Sequence, residues 1–237
     1  MNTDINWKEA VDKAISEYEL LTEKQIEAYL KKKEIKVGTT QIYSYLKANK
    51  AIKAIKIITG KGQRAYCFVK PRSHNKTVEL YMHNQCFINR GIEFKKPTVT
   101  TSLSHMIARI RFLKGEGRLS NYLLDEVEKT VAVHKKQQQL NTPDSSEITA
   151  LYRLLKGKGF CYFINRKSVG TWIYYDTGEI SALSLKARLE ALNKFVDDSD
   201  GQDLSDTLTI VTFNKKRIER ITGILTLNIQ VKIIEIF

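Results

Sequence analysis

The sequence predicts an α+β protein with two domains, at residues 1–72 and 73–237. Three amphipathic helical segments precede a hairpin pattern in the first of these regions. Strands and helices then alternate through the second region, which is typical of an α/β sheet core. A polar, proline-containing stretch, Pro71–Lys76, separates the two patterns and predicts the boundary.

The first region begins with helices joined by tight turns. Thr22 followed by Gln25 is the sequence of a capping box, and it predicts the start of the second helix. Gly38 predicts a turn before the third, with Thr39 or Thr40 as its cap. The three predicted helices are Asn6–Tyr18, Glu23–Lys33 and Gln41–Asn49.

A hairpin is predicted directly after the third helix. Ala51–Thr59 is rich in isoleucine, residues 60–63 have turn chemistry, and Arg64–Val69 is aromatic and β-prone. Three helices followed by a hairpin is the order of a winged helix-turn-helix.

Positive charge is concentrated in the same part of the chain. Ile35–Val78 holds ten Lys or Arg residues and no Asp or Glu, within a chain of net charge +13 and pI near 9.5. Such a one-signed stretch is suited to a polyanion, so we expect contact with double-stranded DNA. Gln41 is suited to adenine, and Lys47 to guanine or phosphate. The residues predicted to contact DNA are Thr40, Gln41, Tyr43, Ser44 and Lys47 on the third helix, and Lys50, Lys53, Lys61, Gln63 and Arg64 after it.

The second region is predicted as an α/β domain with the outline of a degenerate restriction-endonuclease-like core. Predicted strands are Thr77–Met82, Phe87–Asn89, Phe160–Ile164, Thr171–Tyr175, Leu208–Phe213 and Ile229–Phe237. Predicted helices are Ser102–Leu113, Asn121–Val133, Glu147–Leu155, Ser181–Phe195 and Lys215–Leu225.

Composition narrows the class of protein. No segment is long and apolar enough to cross a bilayer, so no membrane partner is expected. Cys67, Cys86 and Cys161 are odd in number and widely spaced, which is typical of free thiols in a reducing cytoplasm. His83 and Cys86 have a ligand-like separation, but Cys67 and His74 are too far apart in the chain to complete a zinc site. There is no phosphate-binding glycine loop. No cofactor is therefore expected, unless Mg²⁺ serves the alternative below.

That alternative is a metal-dependent DNA nuclease, because such enzymes gather two or three carboxylates with a lysine near the attacking water. The candidate residues are Glu126, Asp144, Asp176, Glu179 and Lys186. The competing interpretation of Asp176-Thr177-Gly178 is a turn that ends a strand, with the aspartate capping it. Catalysis is the less favoured of the two.

Several short motifs in the second region resemble the plasmid replication-relaxation family, which includes MobC-like mobilisation accessory proteins. They are Ser104-His105-Met106-Ile107, Tyr122-Leu123-Leu124-Asp125-Glu126, Pro143-Asp144 and Ile173 to Glu179 with Lys186 following. The resemblance implies an N-terminal winged helix joined to a nuclease-like domain. Tyr174 stands where the family usually has an acid, and the segment after Ser145 is helical in pattern, so nuclease chemistry is not carried over.

The sequence and the resemblance together predict a DNA-binding protein of a plasmid or other mobile element, acting in mobilisation, replication or their regulation. A relaxase or replication protein is the expected protein partner. A further alternative is a transcriptional regulator whose second domain is an interaction module. The apolar strand Ile229–Phe237 is a candidate sheet edge for a homodimer.

Overall fold

The computed structural model describes residues 6–58, 64–69, 77–88, 96–115, 128–132, 135, 151, 153–164, 169–198 and 207–236. Within these residues the protein is α+β, with helices and two separate sheets. The chain divides into two compact units. Unit 1 is Met1–Lys96 with Ile236–Phe237, and unit 2 is Pro97–Glu235.

Unit 1 contains four helices and a three-stranded antiparallel sheet among its described residues. Its strands follow the order β1-β3-β2. The elements are α1 (Trp7–Tyr18), β1 (Leu20–Leu21), α2 (Glu23–Lys32), α3 (Thr39–Ala48), β2 (Lys53–Ile58), β3 (Arg64–Val69) and α4 (Thr77–Phe87). The three helices and the hairpin predicted in this unit are present.

Local hydrogen bonds explain where the second and third helices begin. The capping box at α2 is confirmed: the Gln25 amide donates to Thr22 Oγ1 at 3.2 Å, and the Thr22 amide donates to Gln25 Oε1 at 2.8 Å. At α3 the predicted threonine cap is wrong. Gly38 is the N-cap in an extended conformation, and its amide donates to Gln41 Oε1 at 3.4 Å. Thr39 therefore becomes the first helical residue.

The core of unit 1 forms where the apolar stripes of α1, α2 and α3 meet. Ile15, Leu30 and Ile42 are each fully buried, and Phe68 brings β3 into the same cluster at 2% exposure. Removing these stripes from water is the main stabilising contribution to the unit. It also fixes which side of each helix faces solvent.

The strand predicted at Thr77–Met82 is wrong, because Thr77–Phe87 is helix α4. The strand predicted at Phe87–Asn89 begins at the last residue of this helix, and Asn89 lies outside the described residues. Asn84 is fully buried, and its Nδ2 donates to the carbonyl oxygens of Tyr18 (3.2 Å) and Leu20 (2.5 Å), between α1 and β1. The Asn84 amide thereby satisfies two buried backbone carbonyls, and it can do so only when α4 is folded against α1 and β1. The division between the units accordingly lies between Lys96 and Pro97, whereas the sequence placed a boundary after residue 72.

Unit 2 is built around a four-stranded sheet in the order β4-β5-β6-β7. β4 and β5 pair antiparallel, and β5, β6 and β7 run parallel. The elements are α5 (Val99–Gly115), a π-helical turn (Arg153–Gly157), β4 (Phe160–Ile164), β5 (Gly170–Asp176), α6 (Ala182–Asp198), β6 (Leu208–Thr212), α7 (Lys215–Thr222) and β7 (Val231–Glu235). Residues 128–132 are also helical.

Aromatic side chains hold the centre of this sheet. The Trp172 ring is fully buried, and its centroid lies 5.0 Å from that of Tyr162 and 5.9 Å from that of Phe195 on α6. Edge-on ring packing of this kind is favourable.

All the described helices are too short or too polar to span a bilayer.

Candidate nucleic-acid interface

Helix α3 has one buried side and one solvent-facing side. Ile42 and Leu46 are buried, and Tyr45 ties the helix to α1 by donating from Oη to Asp12 Oδ2 at 2.9 Å. The Trp7 ring packs edge-on against Tyr45 at 5.4 Å. Burial, then the hydrogen bond and negative charge of Asp12, raise the pKa of Tyr45 above its ordinary value, so its hydroxyl remains a donor at neutral pH.

This anchoring sets the rotation of α3. The five α3 residues predicted to contact DNA, Thr40, Gln41, Tyr43, Ser44 and Lys47, are all exposed. They carry amide, hydroxyl, phenol and ammonium groups, which can donate or accept hydrogen bonds at base edges and phosphates. The polar side of the helix is therefore free to meet a ligand.

The hairpin continues the exposed side of α3. Pairing of β2 with β3 sets Lys56 opposite Tyr66 and Ala54 opposite Phe68, so these side chains share one face of the hairpin. Phe68 reaches α3, where Tyr43 packs edge-on against it with ring centroids 6.0 Å apart. We call the exposed residues Thr40, Gln41, Tyr43, Ser44, Lys47, Lys56, Ile58 and Tyr66 the α3–hairpin surface.

The remaining predicted DNA contacts lie around this surface. Lys50 and Lys53 are exposed, but the pleat of β2 turns Lys53 to the opposite face from Lys56. Arg64 is in β3 opposite Ile58, and nothing is described of its side chain. Lys61 and Gln63 lie outside the described residues.

Sequence reasoning missed Lys56, Ile58 and Tyr66. Their signal was the alternation of β2 and β3: all three lie beside Ile57 or Cys67, so they point to the other face of the hairpin, the face that Phe68 shares. Burial, then the negative charge of Glu23, raises the pKa of the Cys67 thiol to about 12. Cys67 is thus an uncharged core group behind the exposed face.

Unit 2 places Asp176 at the carboxyl end of β5, where it is only 1% exposed. Its Oδ1 and Oδ2 accept hydrogen bonds from Arg217 Nη1 on α7 at 2.6 and 2.7 Å. Thr212 Oγ1, on the neighbouring strand β6, donates to Oδ2 at 3.0 Å. Both oxygens are engaged by protein donors, and the negative charge is neutralised within the fold.

The other candidate carboxylates do not join it among the described residues. Glu179 is exposed, and Lys186 Nζ lies 3.7 Å from Glu190 Oε1, one helical turn along α6. Glu126 and Asp144 lie outside the described residues. In the part of the chain that the structure describes, no three His, Cys, Asp or Glu residues are grouped so as to hold a metal ion.

Tyr174, which stands where the resemblance expects an acid, has a structural contact. Arg188 Nη1 on α6 donates to Tyr174 Oη at 3.2 Å and to the Lys158 carbonyl at 3.0 Å. Arg188 therefore links α6 to the hairpin of β4 and β5, as Arg217 links α7 to β5.

Comparison with known proteins gives no match to any family model, curated protein or solved structure. The resemblance to the plasmid replication-relaxation family stays a prediction.

Proposed function

We propose that this protein binds double-stranded DNA through unit 1, acting as a winged helix in which α3 is the recognition helix and the β2–β3 hairpin is the wing. The observation that carries the proposal is the exposed polar side of α3, which lies within a stretch of chain that has no acidic residue. A helix presented in this way fits the major groove, where each base pair offers a distinct pattern of donors and acceptors.

Each proposed contact has a chemical reason. Gln41 Nε2 can donate to adenine N7, and Gln41 Oε1, which accepts the Gly38 amide at 3.4 Å, has a second lone pair for adenine N6. Lys47, in the last turn of α3, can reach guanine or a phosphate. Thr40, Ser44 and Tyr43 surround these two residues with hydroxyl groups. Lys50, Lys61 and Arg64, with Gln63, are assigned to the sugar–phosphate backbone. Lys53 is left out of the interface because it lies on the opposite face of β2 from Lys56.

The proposal is tested by measuring affinity for a fluorescent duplex over a range of salt concentrations. We expect Lys47→Ala to weaken binding and to reduce the slope of log affinity against log salt by about 0.9, because one phosphate contact is lost. Lys13→Ala is the matched control, since Lys13 is an exposed lysine on α1, outside the proposed interface. Equal behaviour of the two variants would remove α3 from the interface.

For the wider role, we propose mobilisation, replication or their control in a plasmid or other mobile element, with a relaxase or replication protein as the partner. The motif resemblance supports this part. Footprinting on the origin regions of such an element tests it: protection of a discrete site is expected, and uniform coverage at all salt concentrations would contradict it. The nuclease alternative is not proposed, because Asp176 is already engaged by Arg217 and Thr212.

A further inference from the structure

We propose that the hairpin part of the α3–hairpin surface takes an unpaired nucleotide, so that the preferred ligand is a duplex that ends in a single-stranded extension. This inference rests on the proposed function, and it adds a substrate class to it. α3 would hold the duplex, and Tyr66 would receive the first unpaired base.

The hairpin exposes apolar groups that a protein binding only intact duplex DNA does not need. Tyr66 is 54% exposed and Ile58 is 65% exposed, although both are large and lie on strands of a sheet. Register sets Lys56 opposite Tyr66, with Lys56 Nζ 5.6 Å from the ring centroid. A flat ring and a cation are thus held side by side.

These two groups match the two parts of a nucleotide. Base stacking on an aromatic side chain tolerates any sequence because every base has a π face, and a nearby cation meets the phosphate. Within an intact duplex each base is already stacked on its neighbours. An exposed tyrosine can therefore reach a free base face only at the end of a duplex or on an unpaired base, and a single-stranded extension supplies unpaired bases.

The buried ring of Phe68 lies between an exposed ring on α3 and an exposed ring on the hairpin. Tyr43 on α3 is 45% exposed and packs edge-on against Phe68, which lies two residues from Tyr66 on the same face of β3. A duplex held at α3 would therefore present its frayed or extended end to the hairpin.

Charge favours a nucleic acid over a second copy of this chain as the occupant. The surface lies in a segment with ten cations and no acid, so two copies meeting face to face would bring like charges together. A polyanion neutralises the same charges and releases its counterions.

The experiment compares three ligands of one sequence: a blunt duplex of about two helical turns, the same duplex with a single-stranded extension of about six nucleotides, and the single strand alone. We expect the extended duplex to bind at least about fivefold more tightly than the blunt one. Tyr66→Ala should remove this preference, so that the variant binds the blunt and the extended duplex with the same affinity. Tyr66→Phe should keep the preference, because the ring remains.

A fluorescent adenine analogue at the first unpaired position reports stacking directly. Its emission should be quenched by the wild type and by Tyr66→Phe but not by Tyr66→Ala. Equal affinity of the wild type for blunt and extended duplexes would overturn the inference and leave duplex binding standing. Failure to bind either duplex would overturn the proposed function as well.

Discussion

The ion pair between Asp176 and Arg217 predicts a large loss of stability when the aspartate loses its charge. Asp176→Asn keeps the size of the side chain, yet it leaves the guanidinium without its counter-ion beside Thr212. Removing one partner of a buried pair costs about 3–5 kcal/mol. The Arg217 side chain is 21% exposed and also donates to the Ile180 carbonyl, so we expect about 2–3 kcal/mol here.

Urea unfolding followed by tryptophan fluorescence measures this loss in unit 2 alone. The chain has two tryptophans, Trp7 in α1 and Trp172 in β5, so a Trp7→Phe background isolates the unit 2 signal. The matched control is Glu219→Ala on α7, which breaks a half-exposed pair with Lys215 at 3.5 Å. An exposed pair of this kind is worth about 0.5 kcal/mol or less.

A double variant identifies the unpaired charge as the cause. Arg217→Met in the Asp176→Asn background should restore part of the loss, with a coupling energy of about 0.5–3 kcal/mol. If Asp176→Asn unfolds at the same urea concentration as its background, the structural assignment is refuted. Asp176 would then again be a candidate catalytic carboxylate.

Three further predictions concern unit 1. In urea unfolding, Asn84→Ala should lower the unfolding free energy of unit 1 by about 2 kcal/mol, because two buried carbonyls lose their donor. An unchanged urea midpoint would contradict the docking of α4 on β1. Tyr45→Phe should cost about 1 kcal/mol in the same assay by breaking the bond to Asp12, and no loss would show that this bond does not hold α3. Because folding raises the pKa of Cys67 from 9.0 to about 12, stability from this thiol is complete below pH 9.0 and declines above it. The wild type should therefore lose unfolding free energy between those pH values more steeply than Cys67→Ala, and parallel curves would refute the prediction.

Local signals in the sequence predicted much of unit 1. The Thr22 and Gln25 capping box predicted the start of α2, and the amphipathic pattern of the first region predicted three helices, all of which are present. Both signals act within one or two turns of chain, so they are visible without tertiary structure.

The errors arose where distant residues determine the local structure. Helix α4 was read as strand from its β-branched and aromatic residues, whereas burial of Asn84 against the end of α1 favours the helix. The partner of Asp176 is 41 residues away in the chain, on a different element. No spacing rule connects the two, and the aspartate was therefore weighed as a metal ligand.

DNA binding by α3 is tested most directly by placing a thiol on this helix and measuring whether duplex DNA protects it from alkylation. Cys67, Cys86 and Cys161 are all buried, so Ser44→Cys supplies one exposed thiol, and Ser16→Cys on α1 is the matched control. Alkylation of each variant is timed with and without saturating duplex DNA. If α3 is the recognition helix, duplex DNA slows alkylation at position 44 sharply and leaves the rate at position 16 unchanged. Equal rates at position 44 with and without bound duplex would contradict the assignment of α3 as the recognition helix.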